Sequence, residues 1–190
     1  MIVTLTLAIN HSMPTDTLPQ LVQAAQKNPQ AFSEIYHQFV HSVYRYTYGR
    51  IGNHQDAEDV TADIFADALN NLSRYRERGY FAAWLFRIAR HRIADYHRQQ
   101  LPDRLSAVPN LTDSMPLLVT QVAKRELQQQ LRTTIADLPP AKRELIALRF
   151  AAGLSFREIG KVVGKREGAV KMALRRTLDQ LSAELEAYHG

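Results

Sequence analysis

The sequence predicts an all-α protein of two small helical domains joined by a flexible linker, the C-terminal one with a helix-turn-helix. Three observations predict this. Apolar residues recur at three- and four-residue steps through most of the chain, the period of an amphipathic helix. A stretch from 101 to 118, with three prolines, interrupts that period. Between Leu154 and Leu178 a capped short helix, a glycine and a second helix follow one another without a gap.

Residues 1–16 carry no helical period and read as a loosely ordered N-terminal extension. The pattern begins only after Met13, which makes Met13 a candidate start. Leu18 to Lys27 reads as a short helix with Leu21, Val22 and Ala25 on its apolar side, broken by Asn28-Pro29. A long helix follows from about Gln30 to Arg50. Its apolar members are Phe32, Ile35, Tyr36, Phe39, Val40, Val43 and Tyr46, and Gly49 and Gly52 end it. His37 and His41 lie four apart on it and share a face. Without a third ligand nearby they read as solvated side chains rather than a metal site.

Asn53 caps a third helix, Asp56 to Leu72. Ala57, Val60, Thr61, Ile64, Phe65, Ala68 and Leu72 form its apolar arc, and Asp56, Asp59, Asp63 and Asp67 cluster on another. Like charges at i,i+4 cost roughly 0.2–0.5 kcal/mol per pair, and this helix carries no Lys or Arg to offset them. The row is either a solvating face or a surface for a basic partner.

An arginine-rich loop, Ser73 to Tyr80, leads to a helix from Phe81 to Gln100. Leu85, Ile88, Ala89, Ile93 and Tyr96 make its core face. Trp84, Arg87, Arg90, His91, His97 and Arg98 lie opposite. An aromatic ring among arginines can stack on an unpaired base while the cations hold phosphates. A basic surface with a half-buried tryptophan is the alternative.

Leu101 to Leu118, with Pro102, Pro109 and Pro116, reads as the linker. The periodic pattern resumes at Val119 to Ala136. It restarts at Asp137 to Phe150, with Leu145, Ile146, Leu148 and Phe150 apolar and proline tolerated in the first turn. Gly153 stops it. Ser155 and Glu158 then form a capping box, and Phe156, Ile159, Val162 and Val163 give the next helix its stripe. Gly164 supplies a positive φ for the turn. The last helix starts near Arg166 with Val170, Leu174, Thr177, Leu178 and Leu181 facing inward. Gly168, Ala169, Lys171, Met172, Arg175 and Arg176 face outward. A small, basic outer face suits a helix laid in the DNA major groove, although an ordinary helical hairpin would share the pattern.

Composition narrows the function classes. The chain has 190 residues, a net charge of +5 and no cysteine, which excludes disulfides and thiolate metal sites and fits a reducing cytosol. The charge is segregated. Lys142 to Arg176 is net +7, Arg74 to Gln100 is net +5, and Ile51 to Ser73 is net −5. Two polyanion-binding surfaces and one surface for a basic partner are the expectation. No signal peptide or membrane span is visible; Ile2 to Ile9 is too short and carries no preceding cation. Gly160 to Lys165 has the outline of a phosphate-binding loop. It is one residue short, lacks the following Ser or Thr, and follows a helix. No catalytic constellation stands out, and no cofactor is called for.

As an ordered set, these segments resemble the extracytoplasmic-function (ECF) sigma factors of bacterial RNA polymerase, over roughly Ala31 to Leu185. AFSEIYHQFVHSVYRYTY and DAEDVTADIFADAL are similar to the first helix of the family's region 2 and to its region 2.2. FAAWLFRIARHRIADYHR is similar to regions 2.3 and 2.4. DLPPAKRELIALRFAAGLSFREIGKVVGKREGAVKMALRR resembles region 4.

The resemblance implies a cytoplasmic, non-enzymatic factor with region 2 over 17–100, a linker over 101–118 that threads into the polymerase, and region 4 over 119–190. It implies that Asp56, Asp59, Asp63 and Asp67 dock on the β′ clamp helices of core RNA polymerase. Trp84, Arg87, Arg90, His91 and Arg98 would capture the melted −10 element. Arg166, Lys171, Met172, Arg175 and Arg176 would read the duplex −35 element. It also makes an inhibitory anti-sigma partner plausible. His91 stands where the family commonly has asparagine, and Met172-Ala173 where it often has Ser-Arg. The second departure removes one expected DNA contact and leaves Met172 to touch a thymine methyl. A stand-alone helix-turn-helix regulator is the alternative, and the acidic row discriminates the two, because such a regulator needs no polymerase-docking face.

Overall fold

The computed structural model describes residues 17–76, 79–100 and 122–187. Among them are eight α-helices and no strand. Expectations for residues 1–16 and for the linker at 101–118 lie outside the described residues.

The N-terminal half is α1 (Leu18–Lys27), α2 (Phe32–Ile51), α3 (His54–Asn71) and α4 (Phe81–Gln100). Local chemistry sets their ends. The Asn28 side chain accepts from the Gln30 backbone N–H and opens a single 3₁₀ turn, Pro29–Ala31, that feeds α2. Gly52, at φ 78°, closes α2 in the left-handed conformation. The Asn53 side chain accepts from the Asp56 N–H and starts α3. α2, α3 and α4 pack on one another around Ile35, Val43, Tyr46, Ile64, Phe81, Leu85 and Phe86, all buried. Every residue expected on the apolar arc of α3 is buried. Tyr36 departs from expectation: it is 40% exposed, at the edge of the stripe, with its ring edge-on to Phe65.

The C-terminal half is α5 (Val122–Asp137), α6 (Pro140–Ile146), α7 (Phe156–Val163) and α8 (Glu167–Ala187). The helix expected to run to Phe150 instead widens after Ile146 into a π turn, Ala147–Ala151. The widening changes the side-chain register. Leu148 stays buried, whereas Phe150, read as an apolar member, is 42% exposed. On α8, Val170, Leu174, Thr177 and Leu181 are buried as expected, but Leu178 is not. It sits one residue past the centre of the stripe.

The two halves touch. α4 packs against α7, and α2 against the π turn, so that Leu145, Leu148, Ile159 and Val162 join the same buried cluster as Val43, Phe86 and Ile93.

Candidate protein and nucleic-acid interfaces

The acidic face of α3 divides into two classes. Asp56 accepts a hydrogen bond from the Tyr96 hydroxyl at 2.6 Å. Asp67 is held by both the Nε and the terminal nitrogen of Arg92. The hydrogen bond it donates to Asp67 keeps the Arg92 guanidinium above its ordinary pKa. Arg92 and Tyr96 are four apart on α4 and reach opposite ends of the antiparallel α3. The premise that nothing offsets the acidic row therefore holds for α3 alone, because its neighbour supplies the cation. Asp59 and Asp63 are exposed and join no salt bridge among the described residues.

The expected single polar side of α4 is two faces. At about 100° per residue, Trp84, Ile88, His91, Arg92 and Asp95 lie along one line. Arg87, Arg90, Ala94 and His97 lie along another, the line that begins at the buried small residue Ala83. The first line forms a cleft of about 420 Å³ together with Asp67, Arg74 and Tyr75. Trp84 is half-buried in its wall, 4.9 Å from the Tyr75 ring and 5.3 Å from that of Phe81. The Gln26 side-chain amide donates to the carbonyls of Leu72 and Tyr75, at 2.9 and 2.6 Å, and so fixes the loop carrying Tyr75. Trp84 and His91 therefore share a site, and Tyr75, which sequence reading missed, completes it. Its sequence signal was weak: an aromatic inside an arginine-rich loop.

Arg87 and Arg90 lie elsewhere. Arg87 donates to the Lys161 carbonyl at 3.1 Å, and Arg90 sits 3.7 Å from Glu144. Both reach the C-terminal half. Arg98 pairs with Asp95 near the end of α4.

The helix-turn-helix forms as its residues dictate. The Ser155 hydroxyl accepts from the Glu158 N–H at 3.3 Å, and the Glu158 carboxylate accepts from the Ser155 N–H at 2.8 Å, a complete capping box. Gly164 takes φ 71°. The Lys165 N–H bonds the Gly160 carbonyl at 2.9 Å. A Cβ on Gly160 would lie 2.5 Å from the Lys165 carbonyl oxygen, so the turn closes only over glycine there. Thr177, fully buried, satisfies its hydroxyl on the Ala173 carbonyl at 2.8 Å. With that face buried, Arg166 just before α8 and Lys171, Met172, Arg175 and Arg176 along one side of it are exposed.

Among the described residues no group of three His, Asp or Glu could hold a metal ion, and no helix is long and apolar enough to cross a membrane.

Both halves of the chain are similar to known proteins. The Sigma-70 region 2 family model matches residues 35–101, and the Sigma-70, region 4 model matches 128–181. The ECF RNA polymerase sigma factor SigD of Mycobacterium tuberculosis is 30% identical over 97% of this chain and 92% of its own length. The ECF RNA polymerase sigma factor BldN of Streptomyces coelicolor is 32% identical over 86% of this chain, which spans only 64% of that relative. Among solved structures, CnrH in complex with the cytosolic domain of CnrY superposes with a TM-score of 0.66 at 24% identity, covering 88% of this chain and 96% of that one. RpoE of Bartonella quintana, in complex with the anti-sigma factor NepR, gives 0.67 at 19%, covering 83% and 98%. At such identities these two speak for the fold alone.

A helical protein matching both regions is a sigma-70-type transcription initiation factor, without catalytic activity of its own. Within that class, the chain belongs to the ECF RNA polymerase sigma factors.

Proposed function

We propose that this chain binds bacterial core RNA polymerase, directs it to promoters and helps open the duplex, with the work divided among three surfaces. Residues 17–100 act as region 2, 101–118 as the linker and 119–190 as region 4. Asp59 and Asp63 carry the docking on the polymerase β′ clamp helices. Asp56 and Asp67 frame that face while being held by Tyr96 and Arg92. The cleft of Trp84, Tyr75 and His91 takes an unstacked −10 base, with Arg87, Arg90 and Arg98 along the strand. Stacking on an aromatic ring is worth about 1–3 kcal/mol per base and offsets part of the lost base stacking. Arg166, Lys171, Arg175 and Arg176 engage the −35 duplex, with Met172, 50% exposed, free for an apolar contact. The protein works in the cytoplasm, and family membership supports an anti-sigma protein as a further partner.

One observation carries this reading: Asp59 and Asp63 stand exposed and in no salt bridge among the described residues, on an arc whose other two aspartates are internally paired. A stand-alone regulator has no use for such a face. Gel filtration of the purified protein with core RNA polymerase tests it. The wild-type chain co-elutes, and the Asp59→Lys, Asp63→Lys double variant does not while keeping its helical circular dichroism. A folded double variant that still co-elutes would remove the docking assignment.

A further inference from the structure

The outward face of α8 has a centre and two flanks. Val170, Leu174, Thr177 and Leu181 are buried. At about 100° per residue, the line opposite them runs through Gly168, Met172 and Asp179. Lys171 and Arg175 stand to one side of that line and Arg176 to the other. All six are exposed. The cations therefore flank the strip. The residues standing furthest from the core along the first two turns, Gly168 and Met172, carry no charge and no side-chain hydrogen-bond donor.

Gly168 has no use inside the protein. The positive φ values belong to Gly52, Gly79, Gly153 and Gly164. A Cβ on Gly160, in the same motif, would lie 2.5 Å from the Lys165 carbonyl oxygen, but one on Gly168 would meet nothing within 4 Å. Where the backbone and the space both accept an L-residue, alanine in place of glycine favours the helix and the folded chain. The sequence forgoes that stabilisation at the outermost point of α8. What glycine offers there is close approach of an outside surface to the helix backbone. The spacing fits a groove. At 1.5 Å per residue, Gly168 to Arg176 covers about 12 Å, roughly the width of the DNA major groove. Asp179 lies about 16 Å from Gly168, and its carboxylate repels phosphate, so the DNA-facing strip stops short of it.

Met172, one turn beyond Gly168, is 50% exposed. In the major groove the methyl group of thymine is the apolar feature of the base edges. An amino or carbonyl edge would lose its water against a thioether without regaining a bond. We propose that Gly168 is where the −35 duplex comes closest to this chain, and that Met172 reads a thymine methyl beside it while the flanking cations hold phosphates. Both roles rest on the −35 reading of α8.

The full chain bound to core RNA polymerase tests this, with the duplex that the complex enriches from a random-sequence library as probe. Each thymine of the probe is replaced in turn by deoxyuridine, which removes only the methyl. One replacement should lower affinity about fourfold, the loss expected from uncovering one methyl. Met172→Ala should bind that probe and its parent equally. Gly168→Ala should bind the parent probe about tenfold more weakly than wild type, although its melting temperature is unchanged or higher. Wild-type affinity in Gly168→Ala would overturn the close approach. A probe indifferent to every deoxyuridine, or one equally sensitive in Met172→Ala, would overturn the methyl contact. Arg176→Ala separates these failures from a failure of the −35 assignment. Weakened binding in Arg176→Ala beside unaffected Gly168→Ala and Met172→Ala overturns the strip alone. Wild-type binding in all three overturns the assignment of α8 as well.

Discussion

Individual residues carry the sharpest departures from what sequence could show. Four aspartates on one arc of α3 look equivalent in the sequence, and the structure separates them through α4. Replacing Asp67 by alanine removes its bidentate partner from Arg92. Because both side chains are about a third exposed, solvent limits the loss to about 0.5–1 kcal/mol. Asp63→Ala removes i,i+4 repulsion from Asp59 and Asp67 and should leave stability unchanged or slightly raised. Urea midpoints of the two variants check this, and equal losses would mean that the Arg92 pair contributes nothing. Gly160 is the second case. In the sequence it belongs to an apparent phosphate loop with the wrong spacing. Its actual role depends on the Lys165 carbonyl, which the turn brings back to within 2.5 Å of the missing Cβ. Backbone cannot swing aside as a side chain can, so Gly160→Ala should cost about 1–3 kcal/mol. An unchanged melting temperature would show that the turn relaxes freely.

At the scale of elements, the sequence was most legible where a helix end is written in local chemistry. Asn53 and the Ser155–Glu158 box each begin a helix where expected, and Gly164 ends one. The α3 stripe was legible because an apolar arc and a charged arc leave a single way to pack it. The π turn was not legible. Ala147 to Ala151 carries no proline or glycine, and an extra residue per turn leaves no compositional mark. Phe150 was misplaced for that reason. The two polar faces of α4 were merged because arginine and histidine occur on both, and only their neighbours tell them apart. Ser155→Ala should lower stability by about 1 kcal/mol, seen as a lower melting temperature, and no change would mean the Glu158 side chain caps α7 unaided. Arg175→Ala, on the open face of α8, should weaken −35 duplex binding and reduce the slope of log affinity against log salt by about one. An unchanged slope would mean Arg175 touches no phosphate.

The packing of one half on the other is a property of the whole molecule, and nothing local announces it. Tyr46 and Glu144, hydrogen-bonded across the seam, are 98 residues apart. In the sequence one is a helix-stripe aromatic and the other an ordinary surface acid. The same seam gives the molecule a pH dependence. His97 is half-buried there, facing Arg50 and Tyr46 from α2, Glu144 from α6 and Lys165 after α7, with Arg90 on its own helix. Burial, and then the Arg50 cation, lower its pKa from the ordinary 6.5, against a smaller opposing effect of a hydrogen bond with the Arg50 backbone. The folded protein therefore prefers neutral His97, and below pH 6.5 the unfolded chain binds the proton more readily. Stability is full above that value and declines as pH falls through the lower folded pKa. The decline adds a cation to a seam that already holds three around one carboxylate. Calorimetric unfolding between pH 7.5 and 5 should show this loss in the wild-type chain and a flatter profile in His97→Gln. Superimposable profiles would assign the acid sensitivity to groups away from the seam.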